Sequence, residues 1–299
     1  MTTMILAKFL HPKYLPTWIL IFFMWLATKL PFKVQLWLGK HLGSLLKHLA
    51  KSRAKIAKIN LSLCFPKLSQ QQIEQLVTKN FTELGISLFE VANSWFSSNN
   101  NLQKKYRTIN LEVLDQAKNN NIIFLVAHFT PVLLFSRFIN LHLKIAGVYR
   151  PQNNPLIDYF MNRSYTKHGI KMVSVKNPKK IMRTLHSGTP ILYAHDQDLG
   201  HKDCVFADFF GIPAATITAT ARLAKLKNTV VIPITIFRDK LEYVMKFEPI
   251  IENYPSGDNL ADANRTNKIL QQQILQAPHQ YGWIHKRFKT RPNNEAGFY

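Results

Sequence analysis

Ten consecutive apolar residues, Trp18 to Ala27 (WILIFFMWLA), constrain this chain more than any other feature. Extended to Tyr14–Leu30, the stretch covers 17 residues with Lys29 as its only charge. A helix crossing a bilayer needs ~20 such residues, so the run is short for a span, and a helix lying in the interface or packed on a domain competes with it. A secretory signal would require a small-residue cleavage site, for which LATKLPFK is a poor substitute. The sequence therefore predicts an uncleaved membrane anchor over residues 1–30, with a transmembrane helix as its favoured form. Trp18 and Trp25 are expected at headgroup depth, with Lys29 snorkelling toward water.

The charge pattern supports a membrane partner. The chain carries 39 Lys and Arg against 17 Asp and Glu, a formal charge of +22 that requires an anionic partner to offset self-repulsion. No carboxylate precedes Glu74, whereas eleven Lys or Arg do. Such an excess beside the most apolar segment points to anionic membrane lipid. Nucleic acid is the alternative for a chain of this basicity, but neither zinc-finger spacing nor an RNP-like aromatic strand is present. From Val34 to Lys58, leucines at helical spacing (Leu38, Leu42, Leu45, Leu46, Leu49) alternate with Lys40, Lys47, Lys51, Arg53, Lys55 and Lys58, which predicts one basic amphipathic helix over residues 34–58. The two cysteines, Cys64 and Cys204, have no metal-ligand spacing and suit a reducing compartment.

Residues 31–299 read as one α/β domain. Ser69 followed by Gln72 forms a capping box, and Ile73, Leu76, Val77, Phe81 and Leu84 mark a core-facing helix behind it. Ser97–Gln103 is expected to be a loop and Asn119–Asn121 a turn. Short β-rich runs then alternate with helical stretches: Ile122–Ala127, Ile145–Tyr149, Ile191–Ala194, Val230–Phe237 and Tyr243–Phe247. His128 follows the first run directly, and Thr130-Pro131 supplies an N-cap and a first helical residue after it. An imidazole at a strand end, beside a helix start, is placed to take a proton from an attacking hydroxyl, although a lone histidine there is more often structural. No G-x-S-x-G elbow is present to suggest a serine hydrolase.

Several segments resemble the lauroyl, palmitoleoyl and myristoyl transferases of lipid A biosynthesis, within the lysophospholipid-acyltransferase-like superfamily. They are FLHPKYLPTW (9–18), INLSLCFPKLS (59–69), YRPQNNPLID (149–158), DQDLG (196–200), VFADFFGIPAATITATARLAK (205–225) and APHQYGWIHKRFKTRP (277–292). The resemblance spans nearly the whole chain. It implies a mixed sheet flanked by helices, an N-terminal membrane-anchoring helix, and a place on the cytoplasmic face of a bacterial inner membrane. It also implies an acyl–acyl carrier protein donor, a phosphorylated lipid A precursor as acceptor, and no cofactor or metal.

In that family a His and an acid five residues later form a dyad, in which the acid orients the imidazole. His128 matches the base, but the fifth residue on is Leu133, and HFTPVLLFSRF contains no carboxylate. Arg137 stands where the family commonly has an arginine, so an insertion or deletion does not explain the gap. Leucine accepts no hydrogen bond. Three readings stay open: another carboxylate (Asp196 or Asp198) substitutes; His128 works slowly with water; or the protein is a silent paralogue that still binds lipid. The resemblance further assigns Arg150 to phosphate, because a guanidinium grips it with two parallel hydrogen bonds. It places Arg163, Asp196 and Asp198 in the substrate region, and Phe206, Phe209 and Phe210 along an acyl-chain channel. Here His195 and Leu199 stand where the family has Pro and an aromatic residue. The basic tail (His279, His285, Lys286, Arg287, Lys289, Arg291) is assigned to lipid phosphates or to the acidic carrier.

Overall fold

The computed structural model describes residues 8–299, so the first seven residues of the expected anchor lie outside it. Four helices come first: α1 (Leu15–Ala27), α2 (Phe32–Leu49), α3 (Lys51–Cys64) and α4 (Gln70–Phe96). There follow α5 (Asn99–Gln103), β1 (Tyr106–Ile109), α6 (Val113–Gln116), β2 (Asn121–Val126), α7 (Val132–His142), β3 (Ala146–Tyr149) and α8 (Pro155–Lys167). Next are β4 (Lys171–Ser174), α9 (Pro178–His186), β5 (Ile191–Ala194), β6 (Cys204–Phe209) and β7 (Ile212–Ile217). The chain closes with α10 (Ala219–Ala224), β8 (Thr229–Asp239), β9 (Glu242–Phe247), α11 (Asn259–Gln276) and an irregular tail.

Seven strands form one mixed sheet in the order β1-β9-β8-β2-β5-β3-β4, and β6 and β7 make a separate hairpin. Every pair in the large sheet is parallel except β8 with β9. β2 lies between two parallel partners and is buried on both faces, which explains its unbroken apolar run. Its side chains alternate between two cores: Ile122, Phe124 and Val126 pack under the N-terminal helices with α7 and α8, while Ile123 and Leu125 face Ile181 and Leu185 of α9.

α1 is 13 residues long, about 20 Å at the helical rise, against a hydrocarbon layer of ~30 Å. Among the described residues no helix is long and apolar enough to cross a membrane, which corrects the transmembrane helix expected from the apolar run. Prolines bound the helix: Pro16 sits in its first turn, and Pro31 caps α2 after a short turn. α1 packs on the domain through Thr17 and Ile21, and Trp18 meets Phe160 of α8 edge-on at 5.3 Å while its Nε1–H donates to the Phe9 carbonyl at 2.9 Å. Trp18 is therefore a docking residue, not a headgroup anchor. Leu15, Ile19, Leu20, Phe22, Phe23, Trp25 and Leu26 remain exposed.

The single basic helix expected over 34–58 is two helices, broken at Ala50 (φ −97°, ψ 51°). The buried stripe of α2 is Gln35, Leu36, Gly39 and Gly43, whereas Leu45 and Leu49 are exposed. The glycines let α2 and α4 cross backbone to backbone. A Cβ on Gly85 would run into the backbone of Gly39 and Gly43, and one on Gly43 into the Phe81 carbonyl.

α4 begins at the expected Ser69–Gln72 capping box. Halfway along, it delivers Glu83 and Glu90 to Arg238 on β8. Arg238 Nη2 pairs with Glu83, its Nε donates to Glu90 at 3.3 Å, and Tyr243 donates its hydroxyl to the same Glu90 oxygen at 3.0 Å. All four residues are buried, and burial pushes the Glu90 carboxyl up to about 7 despite the arginine. Removing one partner strands the others in low dielectric, so Arg238→Met is expected to cost about 3–5 kcal/mol of stability by chemical denaturation. Adding Glu83→Gln and Glu90→Gln should recover part of that loss.

Candidate active site

The register between β2 and β5 builds the site. Val126 lies opposite Ala194 across this parallel pair, and two residues beyond each strand stand His128 and Asp196. His128 Nδ1 is 2.6 Å from Asp196 Oδ1, and the His128 backbone amide donates to Asp196 Oδ2 at 2.9 Å. Both carboxylate oxygens thus hold one residue, ring and main chain together.

The charge states follow. Burial alone would push the Asp196 carboxyl up, but the His128 imidazole and its hydrogen bonds hold it well below the usual carboxylate range. An ionised Asp196 only accepts, so in neutral His128 Nδ1 carries the proton and Nε2 is left as the acceptor. Burial pulls the His128 pKa down, yet the Asp196 charge and hydrogen bond outweigh it and leave the ring above its ordinary value of 6.5. The His128 side chain remains 35% exposed beside an Asp196 that is 1% exposed. This is a base with one free nitrogen and a buried carboxylate behind it, an arrangement suited to moving a proton between a hydroxyl and a leaving group.

The tail closes over the pair. His128, Asp196, Asn60, Gln197, Tyr281, Gly282, Trp283, His285 and Arg287 line a cavity of about 10 Å³, roughly the room of one water. Phe129 and Tyr281 form an isolated antiparallel bridge, and Thr130 N donates to Gln280 O at 2.8 Å. Thr130 gives its backbone amide to the tail while its buried hydroxyl makes no hydrogen bond, and the N-cap of α7 is Pro131, not Thr130. Gly282 lies so close that a Cβ there would come within 2.8 Å of the His128 carbonyl. Two buried amides secure this strap. Asn60 of α3 donates to the Trp283 and His285 carbonyls, each at 2.7 Å, and Asn80 of α4 to those of His279 and Tyr281, each at 2.8 Å. Gln280 exchanges two 2.7 Å hydrogen bonds with the Arg238 backbone, tying the strap to β8.

The other expected residues are placed unevenly. Leu133 is 38% exposed in the first turn of α7, outside the lining of the cavity. Arg137 is buried and structural, donating to the Ser94 and Ser97 carbonyls and to Asn99 Oδ1. Asp198 accepts from Thr290 N at 2.6 Å and Thr290 Oγ1 at 2.8 Å, so its carboxylate clamps the tail and does not face His128. Arg150 is exposed at the carboxyl end of β3, the strand after β5, about 10 Å from the end of β2 at the usual strand spacing. Arg163, exposed on α8, donates to the Tyr159 hydroxyl at 2.8 Å and does not line the cavity.

Phe209 lies under Arg287, whose guanidinium is 5.0 Å from the ring, and Phe210 meets Phe65, which in turn meets Trp283. Both rings back the cavity wall. Phe206 points to the other side of the β6–β7 hairpin, near His201. The basic tail is not one surface patch, because Arg287 and Arg291 are buried and donate to the Ala215 and Pro213 carbonyls. His195 is buried without partners on either ring nitrogen, and burial lowers it to about 4, which keeps it neutral.

Sequence reasoning did not single out Asn60, Asn80, Gln197, Gln280 or Gly282. Asn60, Gln197, Gln280 and Gly282 fall inside three of the segments that carry the family resemblance, and that was the available signal.

A model of the bacterial lipid A biosynthesis acyltransferase family matches residues 3–290. The chain is 34% identical over 297 residues to the lipid A biosynthesis palmitoleoyltransferase of Escherichia coli K12, covering 98% of this chain and 97% of that one. It is 35% identical over 295 residues to the lauroyltransferase of the same organism, covering 97% and 96%. With the myristoyltransferase of that strain it shares 28% over 297 residues, covering 96% and 91%.

Proposed function

The chain belongs to the family of bacterial lipid A biosynthesis acyltransferases, and on that premise we propose that it transfers a fatty acyl chain from acyl–acyl carrier protein to a hydroxyl of a phosphorylated lipid A precursor, with His128 as base. The observation that carries this mechanism is the 2.6 Å hydrogen bond from His128 Nδ1 to Asp196. His128 Nε2 takes the proton of the acceptor hydroxyl as its oxygen attacks the thioester carbonyl. The tetrahedral intermediate collapses, a C–O bond replaces the C–S bond, and the imidazolium returns its proton to the departing thiolate. Asp196 holds the ring in the productive tautomer and offsets the charge that forms on it.

The rival from sequence, a silent lipid-binding paralogue, rested on Leu133. Asp196 offers the carboxylate that Leu133 lacks, which favours an active enzyme.

In this scheme Arg150, free of any ion pair among the described residues, binds an acceptor phosphate at the carboxyl edge of the sheet. Arg163 is assigned to the same acceptor at greater remove, and Phe209 and Phe210, but not Phe206 on the other face of the hairpin, to the side of the acyl chain. α1 anchors the enzyme to the cytoplasmic leaflet of the inner membrane by embedding its exposed side chains parallel to the surface. Trp37 of α2 joins that face, and the lysines of α2 and α3 meet anionic headgroups.

The test is transfer of labelled acyl chains from acyl–acyl carrier protein to the precursor across a pH series. A base must be neutral, and the His128 pKa is raised, so the rate should fall as pH drops through a value above 6.5. Asp196→Asn removes the cause of the raised value and should move that acid limb to lower pH. No transfer at any pH, or a limb that ignores Asp196→Asn, contradicts the scheme.

A further inference from the structure

From Tyr159 to His195 the chain contains no carboxylate, and seven Lys or Arg fall within it. Most of them gather on α9 and the strand before it. α9 buries Ile181, Thr184 and Leu185 against the sheet and turns Lys179, Lys180, Met182, Arg183 and His186 to solvent. Lys171, Lys179, Lys180 and Arg183, with Asn177, line a groove of about 600 Å³. None of these cations forms an ion pair among the described residues, and Val175 and Met182 lie exposed among them.

Two placements decide what fits this surface. The exposed apolar residues of α1 and α2 belong to helices on the sheet face that buries Phe124 and Val126, whereas α9 covers the opposite face with Ile123 and Leu125. A bilayer engaged by α1 and α2 therefore lies on the far side of the sheet from α9. Secondly, α9 starts at the carboxyl end of β4, and β2, β5, β3 and β4 are adjacent and parallel. The start of α9 thus shares an edge with His128, about 15 Å away at the usual strand spacing.

We propose that the solvent face of α9, with Lys171 and Lys176 beside it, is the docking surface for the acidic carrier protein that presents the acyl thioester. The inference rests on the carrier-borne donor proposed above. Cations around a small apolar centre complement an acidic helical protein, and the flexible pantetheine arm of such a carrier bridges the remaining distance to His128. Among the other basic segments, Arg287 and Arg291 are buried in the tail, which leaves Lys286 and Lys289 as its exposed cations, and Lys58 of α3 pairs with Glu74.

The test compares full-length enzyme with the triple variant Lys179→Glu, Lys180→Glu, Arg183→Glu and with the milder Lys179→Gln, Lys180→Gln. Steady-state transfer from acyl–acyl carrier protein is measured alongside binding to vesicles containing phosphatidylglycerol. Charge reversal at a docking rim acts on encounter, so the triple variant should raise KM for the carrier-borne donor at least about tenfold, leave kcat and vesicle binding unchanged, and flatten the salt dependence of KM. The glutamine pair should fall between. An unchanged KM in an enzyme that does use the carrier overturns the docking surface and leaves the donor assignment standing. A wild type that does not use the carrier overturns both. Weakened vesicle binding with unchanged KM overturns it by assigning the surface to lipid, and a fall in kcat with unchanged KM overturns it by placing the effect at the site.

Discussion

His128→Ala is expected to lower acyl transfer by about 10⁴-fold under single-turnover conditions while the domain stays folded. The free Nε2 is the one acceptor that the His128–Asp196 pair offers to the cavity, so without it the acceptor hydroxyl must lose its proton to water. The residual rate would come from holding donor and acceptor together, which the substitution does not touch. Stability should fall modestly, by about 1–3 kcal/mol, because Asp196 loses a ring partner but keeps the His128 backbone amide. The measurement is the decay of labelled acyl–acyl carrier protein in the presence of precursor, with a thermal melt to show that the variant is folded. A rate within tenfold of wild type would remove His128 from the chemistry.

How far this site was visible in the sequence depends on the scale of the interaction. The apolar run ahead of His128 announced a buried strand, and the family phrases brought Asp196 into the same region. What the chain could not display was the register. His128 and Asp196 are 68 positions apart, and only the pairing of Val126 with Ala194 sets them side by side. Without it, Leu133 looked like a broken dyad.

The N-terminal helices misled in another way. Periodicity grouped the leucines of residues 34–58 into the apolar face of one basic amphipathic helix, yet the close crossing of α2 and α4 is made by Gly39, Gly43 and Gly85, which carry no hydropathy signal of their own. The break at Ala50 has no Pro or Gly to mark it. β4, with four residues at the sheet edge, and the β6–β7 hairpin were likewise too short or too mixed to stand out. The central strands were found because burial on both faces leaves a long apolar run, and the tail because its aromatic residues had to be buried somewhere.

Catalysis by His128 depends on Asp196 having taken over the orienting role that Leu133 cannot fill. Loss of an orienting carboxylate from a histidine base costs up to about 10⁴-fold, because the ring settles into the wrong tautomer and its charged form goes unsupported. Asp196→Asn keeps the size of the side chain and one oxygen for the His128 amide, so the loss would be chemical and not structural. Leu133→Glu, by contrast, offers a second carboxylate to a ring whose Nδ1 is already engaged. The decisive measurement is the single-turnover rate of Asp196→Asn, Leu133→Glu and the wild type side by side. The structure predicts a loss of about 10³–10⁴-fold for the first and a rate within about threefold of wild type for the second. An Asp196→Asn enzyme at full rate, or a Leu133→Glu enzyme accelerated a hundredfold, would contradict it.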